Sequence, residues 1–153
     1  MDRFLLEQRA EVTGNKLVGY AATFGTFADL PGHYETLAAS AFDESLARDD
    51  VHAFYQHDAA KPLGSTKAGN LRLAADTTGL HFELDLVDVS YANDLRELVA
   101  RDVLSGMSIG FIPGTDAWTR RDGRQLRTHV RVKRLIEISP VSLPAYEGTS
   151  VAL

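Results

Sequence analysis

Apolar and polar residues alternate most regularly between positions 70 and 87. Leu71 and Leu73, then Leu80, Phe82, Leu84 and Leu86, occupy every second position on either side of Asp76-Thr77-Thr78-Gly79. A period of two marks a strand with one buried face, and an Asp/Gly-containing link between two such runs marks a turn. Residues 70–75 and 80–87 therefore predict a β-hairpin. A second hairpin is predicted for 5–12 and 16–24 around Thr13-Gly14-Asn15, where Gly14 supplies the freedom for positive φ. Residues 51–57 read as a strand ending in Asp58-Ala59-Ala60-Lys61-Pro62, which puts His57 where a strand gives way to a loop. The longest run is 125–138. There Leu126, Val130, Val132, Ile136 and Ile138 share one parity, and Arg127, His129, Arg131, Lys133 and Glu137 the other, so one face is expected to be buried and the other wet.

The helical period is rarer. Tyr91, Leu95, Leu98 and Val99 keep it behind Ser90, an expected N-cap, in a helix predicted to end near 104–106. Phe42 and Leu46, one turn apart, predict a short helix in 38–47. Residues 25–34, with Pro31-Gly32, read as a loop, and Met107 to Phe111 as a short apolar strand stopped by Pro113-Gly114. The sum is about seven strands and two or three small helices with no internal repeat or linker. A mostly antiparallel β-barrel with inserted helices closes its own edges and fits that inventory.

Composition narrows the chemistry. With 153 residues, 44% of them hydrophobic, the chain can bury one core and is expected to form a single domain over 1–153. Sixteen basic against 21 acidic residues leave a net charge of −5, which suggests neither a nucleic-acid groove nor a polybasic membrane surface. The absence of cysteine excludes disulfides, a thiolate nucleophile and a cysteine zinc site. No signal peptide is read at the start, and no apolar run approaches the roughly 20 residues of a membrane span. His52 and His57 fall on opposite faces of their strand with no third ligand nearby, so no metal and no cofactor are expected.

Gly106, Ser108 and Gly110 spell G-x-S-x-G, the nucleophile elbow of α/β-hydrolases. That elbow needs a strand before the serine and a helix after it. Here the helical pattern comes first and Pro113-Gly114 follows, so the esterase reading is set aside. Ser108 stays a candidate nucleophile, because a serine with a base and an orienting group is defined by geometry and not by chain order. His57 is the attractive base.

Five blocks in order resemble the prohead (capsid maturation) proteases of tailed phages. They are Phe54-Tyr55-Gln56-His57-Asp58, Pro62-Leu63-Gly64, Asp76 to Leu80, Met107-Ser108-Ile109-Gly110-Phe111, and Leu135-Ile136-Glu137-Ile138-Ser139-Pro140-Val141 with Pro144-Ala145. The family looks like a relative of the herpesvirus assembly proteases. The resemblance implies a mainly β fold with inserted helices, a closed barrel of the herpesvirus-protease type, and a serine endopeptidase acting inside the prohead in the host cytoplasm. It carries the nucleophile onto Ser108 and the base onto His57. For the third member it offers Glu137, with His129 the alternative by analogy with the second histidine of the herpesvirus enzymes. Gln56 stands where many members have asparagine. The implied partners are the major capsid protein or a scaffolding protein as substrate and the protease itself in autoprocessing, while the dimeric herpesvirus relatives admit a homodimer. A non-catalytic capsid-associated barrel is the competing expectation. Oxyanion donors are sought among backbone amides of residues 118–123 or around Gly110.

Overall fold

A computed structural model of the chain describes residues 2–143. The described residues are mostly strand, in the order β1 (Asp2–Thr13), β2 (Lys16–Thr23), β3 (Ala28–Leu30), β4 (His33–Leu37), α1 (Asp43–Arg48), β5 (His52–Tyr55), β6 (Asp58–Ser65), β7 (Leu71–Ala75), β8 (Gly79–Asp85), α2 (Ser90–Ala100), β9 (Gly106–Arg121) and β10 (Arg124–Val141).

The local turns follow their chemistry. β7 and β8 pair from Leu71↔Leu84 to Ala75↔Leu80. Asp76 Oδ1 closes the turn by accepting the Thr78 and Gly79 N–H groups at 2.7 and 3.0 Å, an Asx turn. β1 and β2 meet at Thr13↔Lys16 over Gly14 at φ +63°. Residues 25–34 are not a loop throughout. β3 and β4 form a small hairpin, Leu30↔His33, whose link is Pro31-Gly32 with Gly32 at φ +85°; proline fixing φ before a positive-φ glycine is a type II turn. Residues 58–65 likewise form an edge strand, which accepts Pro62 because β6 pairs only with β5.

β9 also runs on through Pro113-Gly114. β1 pairs with β9 only as far as Asp2↔Phe111, so the missing Pro113 donor takes no ladder bond from that side. At Gly114 a Cβ would sit 2.6 Å from the Arg131 carbonyl oxygen and 2.8 Å from the Lys133 nitrogen, so only glycine allows this close approach of β9 to β10. In α2, Ala92, Leu95 and Val99 are buried at helical spacing. The expected cap by Ser90 is absent: Val89 is the N-cap and no side chain caps the helix.

The strands follow the path β3-β4-β10-β9-β1-β2-β8-β7, with β5 pairing β10 and β6. The sheet does not close, so the expected closed barrel is wrong. One edge of β10 is taken by β4 at residues 125–129 and by β5 at 137–138, both parallel. Among the described residues the path ends at β3 and β7 without a returning strand, and β6 forms a further edge. The three-residue β3 and the proline-bearing β6 are the short or interrupted edges expected where closure does not protect them. The core under this sheet includes Leu17, Phe82, Leu95, Met107, Ile109, Phe111, Leu135 and Ile138.

The single parity expected along β10 also fails. Register shifts against β9 fall at His129/Arg131, Arg131/Val132, Val132/Arg134 and Leu135/Glu137, and each unpaired residue reverses which side chains face inward. His129, Val132, Leu135 and all of 137–141 are buried, whereas Val130 and Ile136 are only partly so. Glu137 and His129 thus point inward, not to the wet face.

Candidate active site

β10 lies between the strand that carries Ser108 and the hairpin that carries His57. In the register Ser139↔Ser108, Ile138↔Ile109, Glu137↔Gly110, directly paired residues share a face, as do residues two apart on one strand. Ser108, Ser139 and Glu137 therefore stand on the same side of the sheet. Ser108 and Glu137 are diagonal neighbours, typically about 7–8 Å apart and somewhat closer at Cβ, a gap that one imidazole bridges.

His57 supplies that imidazole from the β5–β6 turn. The link between Tyr55 and Asp58 is two residues, Gln56 and His57, with φ of +58° and +60°, the backbone of a type I′ turn. Such turns ordinarily use Asn-Gly, and non-glycine residues there carry strain of roughly 1–3 kcal/mol. The turn is held in place by β10. Gln56 N–H donates to the Pro140 carbonyl at 3.1 Å, the Ser142 N–H donates to Gln56 Oε1 at 2.9 Å, and Gln56 Nε2 reaches Ser142 Oγ. The His57 N–H donates to Ser139 Oγ at 3.1 Å.

The ring then meets both partners. His57 Nε2 is 2.8 Å from Ser108 Oγ, and His57 Nδ1 pairs with Glu137 Oε1. Glu137 Oε2 accepts the Ser139 hydroxyl at 2.6 Å. A carboxylate is acceptor-only, so Nδ1 carries the proton and Nε2 presents its lone pair to the Ser108 hydroxyl. Ser108 is 0% exposed, and the side chains of His57 and Glu137 are 3% and 1% exposed. Each buried polar atom of the group is satisfied by another member, as buried polar networks require.

Other expected positions lie elsewhere. His129 is ten residues along β10 from Ser139, the partner of Ser108, which is roughly 30 Å of extended chain. Its Nε2 is 2.7 Å from Glu35 Oε1 and its Nδ1 3.2 Å from Asp116 Oδ1, with Arg127 beside both carboxylates and Phe111 edge-on to the ring. This histidine knits β4, β9 and β10 together and does not approach Ser108. Residues 118–123 sit at the same distant end of the β9–β10 hairpin, too far to bind an oxyanion at Ser108. Asp58 turns from His57 to accept the Ala60 N–H at 2.9 Å. Among the described residues no group of three or more His, Asp and Glu side chains is arranged to hold a metal. The residue that the sequence reading passed over is Ser139. Its position two beyond Glu137 on a strand, hence on the same face, was the available signal.

A serine hydroxyl, an imidazole and a carboxylate in series form the constellation of a serine hydrolase, and Ser108 lies inside a strand, not on an elbow between strand and helix. The family model of the caudovirus prohead serine proteases matches residues 5–153, nearly the whole chain, and the chain belongs to that family. No curated protein and no solved structure matches it.

Proposed function

We propose that residues 1–153 form a single protease domain whose serine endopeptidase activity uses Ser108 as nucleophile, His57 as general base and Glu137 as the acid that orients His57. The observation that carries this reading is the continuous chain of contacts from Ser108 Oγ through His57 to Glu137. As Oγ attacks a peptide carbonyl, its proton passes to Nε2; the C–N bond then breaks as Nε2 returns the proton to the leaving amine. Water repeats the sequence on the acyl-enzyme and restores Ser108. Glu137 stabilises the imidazolium in between without taking its proton. No cofactor is needed for these steps. Because Ser108 is fully shielded, a substrate carbonyl reaches Oγ only when the groups over the site move aside.

Membership of a prohead protease family supports a role in capsid maturation, inside the phage prohead in the host cell. The substrates we assign are the scaffolding segment of the major capsid protein, or a separate scaffolding protein, and the protease itself. Co-expression with the cognate capsid protein tests this assignment: wild type should shorten the capsid protein and Ser108→Ala should leave it intact. Processing that persists in Ser108→Ala would remove the nucleophile assignment. A capsid protein left intact by both would favour a non-catalytic capsid-associated protein.

A further inference from the structure

Ser139 is joined to both halves of the site. It is 0% exposed, its hydroxyl donates to Glu137 Oε2, and the same oxygen accepts the backbone N–H of His57. One oxygen atom therefore holds the backbone of the base and the carboxylate that faces its ring. The rest of the clamp on the turn, from Pro140 and Ser142 to Gln56, fixes the residue before His57 but touches neither the ring nor Glu137.

We propose that Ser139 is a positioning residue for the hydrolysis assigned above: it sets the height of His57 over the sheet and the rotation of Glu137 together. The inference rests on the catalytic reading of Ser108, His57 and Glu137. Its physical basis is a mismatch between strain and freedom. His57 occupies a left-handed backbone conformation that is uncommon for any non-glycine residue, although histidine enters it more often than most, so an external partner on its backbone helps to hold it there. Glu137, without a donor on Oε2, would be held through Oε1 alone, at the end of a broad torsion with no strong intrinsic preference. Ser139 supplies both constraints, and being a strand residue flanked by β9 it is itself rigid. An active-site side chain held this way loses little alignment to thermal motion, and small misalignments are costly in rate.

The test uses the full chain with its capsid substrate and three variants, Ser139→Ala, Ser139→Cys and Ser139→Thr. Expected for Ser139→Ala is a fall in kcat of roughly ten- to a hundred-fold, by analogy with the loss of a hydrogen-bond partner that orients a ligand at metal sites, with KM near the wild-type value. The far-downfield proton NMR signal of His57 Nδ1–H should be lost or broadened. Ser139→Thr, which keeps the hydroxyl, should recover most of the rate and the signal, while Ser139→Cys, similar in shape but a weak donor, should resemble alanine. The cysteine variant also carries the test if the alanine variant does not fold. Wild-type kcat in a folded Ser139→Ala or Ser139→Cys would overturn the inference, as would a change confined to KM. If Ser108→Ala abolishes cleavage while Ser139→Ala does not affect it, the positioning role alone fails. If Ser108→Ala still cleaves, the catalytic reading beneath it fails first.

Discussion

Glu137→Gln is nearly isosteric, yet the hydrogen-bond pattern around it predicts a large loss of activity. Glu137 accepts twice, from His57 Nδ1–H on Oε1 and from the Ser139 hydroxyl on Oε2. A glutamine can keep only one of these as an acceptor. With its carbonyl toward Ser139 and its NH₂ toward His57, the Ser139 hydroxyl keeps its acceptor, but the amide donates to Nδ1 and forces the proton onto Nε2, which leaves the Ser108 hydroxyl without an acceptor. That tautomer cannot take the proton of Ser108, whose Oγ is 2.8 Å away. The opposite amide orientation keeps the productive tautomer but leaves the Ser139 proton facing an NH₂ group. Each orientation strands one buried hydroxyl proton, that of Ser108 or that of Ser139, at about 1–3 kcal/mol, and the wrong tautomer is the outcome of the same acid-to-amide change in the serine-protease template. The corresponding acid-to-amide change in the serine-protease template lowers kcat by about 10⁴, equivalent to roughly 5.5 kcal/mol at 1.36 kcal/mol per tenfold, and a loss of that order is expected here.

The same reasoning fixes how the double variant behaves. Ser139→Ala removes the donor that holds the amide the wrong way round, so Glu137→Gln/Ser139→Ala should be more active than Glu137→Gln alone. Roughly a tenfold recovery, set against the ten- to hundred-fold loss expected for Ser139→Ala alone, corresponds to a coupling of about 2.7–4.1 kcal/mol at 1.36 kcal/mol per tenfold, at or above the top of the range usual for contacting residues. The assay is single-turnover cleavage of purified capsid protein by the four enzymes of the cycle, with folding checked by circular dichroism. A double variant as slow as the product of the two single losses would refute the tautomer argument, and a Glu137→Gln enzyme within threefold of wild type would refute the orienting role itself.

Three further outcomes concern the framework. Gly79→Ala places a Cβ 2.1 Å from the Ala22 carbonyl oxygen and 2.8 Å from Thr23 Cα, so β2 and β8 must separate locally; a loss of at least about 1–3 kcal/mol in urea unfolding is expected. Leu95→Ala, at a fully buried position of α2, should cost about 2–5 kcal/mol in the same measurement. Burial pushes the Asp49 carboxyl up, but hydrogen bonds from Arg48, Ser45 and the Leu135 N–H outweigh it and hold it below the usual range. A carboxyl held low in the folded state contributes stability above its unfolded value of about 3.9 and loses it as the pH falls further. The stability gap between wild type and Asp49→Asn should therefore narrow from pH 7 to pH 3 in urea titrations, and a gap independent of pH would contradict this account.

What could be seen in the sequence depended on how local its cause is. The β7–β8 hairpin was legible because alternation and the Asp76–Gly79 turn lie within sixteen residues of each other. The β3–β4 hairpin was missed although Pro31-Gly32 is a type II pair, because strands of three and five residues are too short to show a period. β10 misled for the opposite reason. Its length suggested one parity, while the register shifts that turn Glu137 inward arise from pairing with β9 and leave no mark in the local pattern. Barrel closure is wholly non-local: it needs β7 to pair with β3, strands far apart in the chain, and no local pattern records that they do not pair. At the site, the residue types at 57, 108 and 137 were readable from the ordered blocks. Their convergence needed the sheet register, and the strained Gln56-His57 turn and the double role of the Ser139 hydroxyl needed coordinates.

The central claim is that Ser108 is a nucleophile activated by His57. Peptide mapping by mass spectrometry after treatment with a serine-directed phosphonate tests it most directly, because the probe bonds only to an activated hydroxyl. The predicted result is a single adduct on Ser108 in wild type and at least a hundred-fold slower labelling in His57→Ala, in line with the roughly 10²–10⁴ that a general base contributes. An adduct on another serine, or labelling of Ser108 at an unchanged rate in His57→Ala, would contradict it.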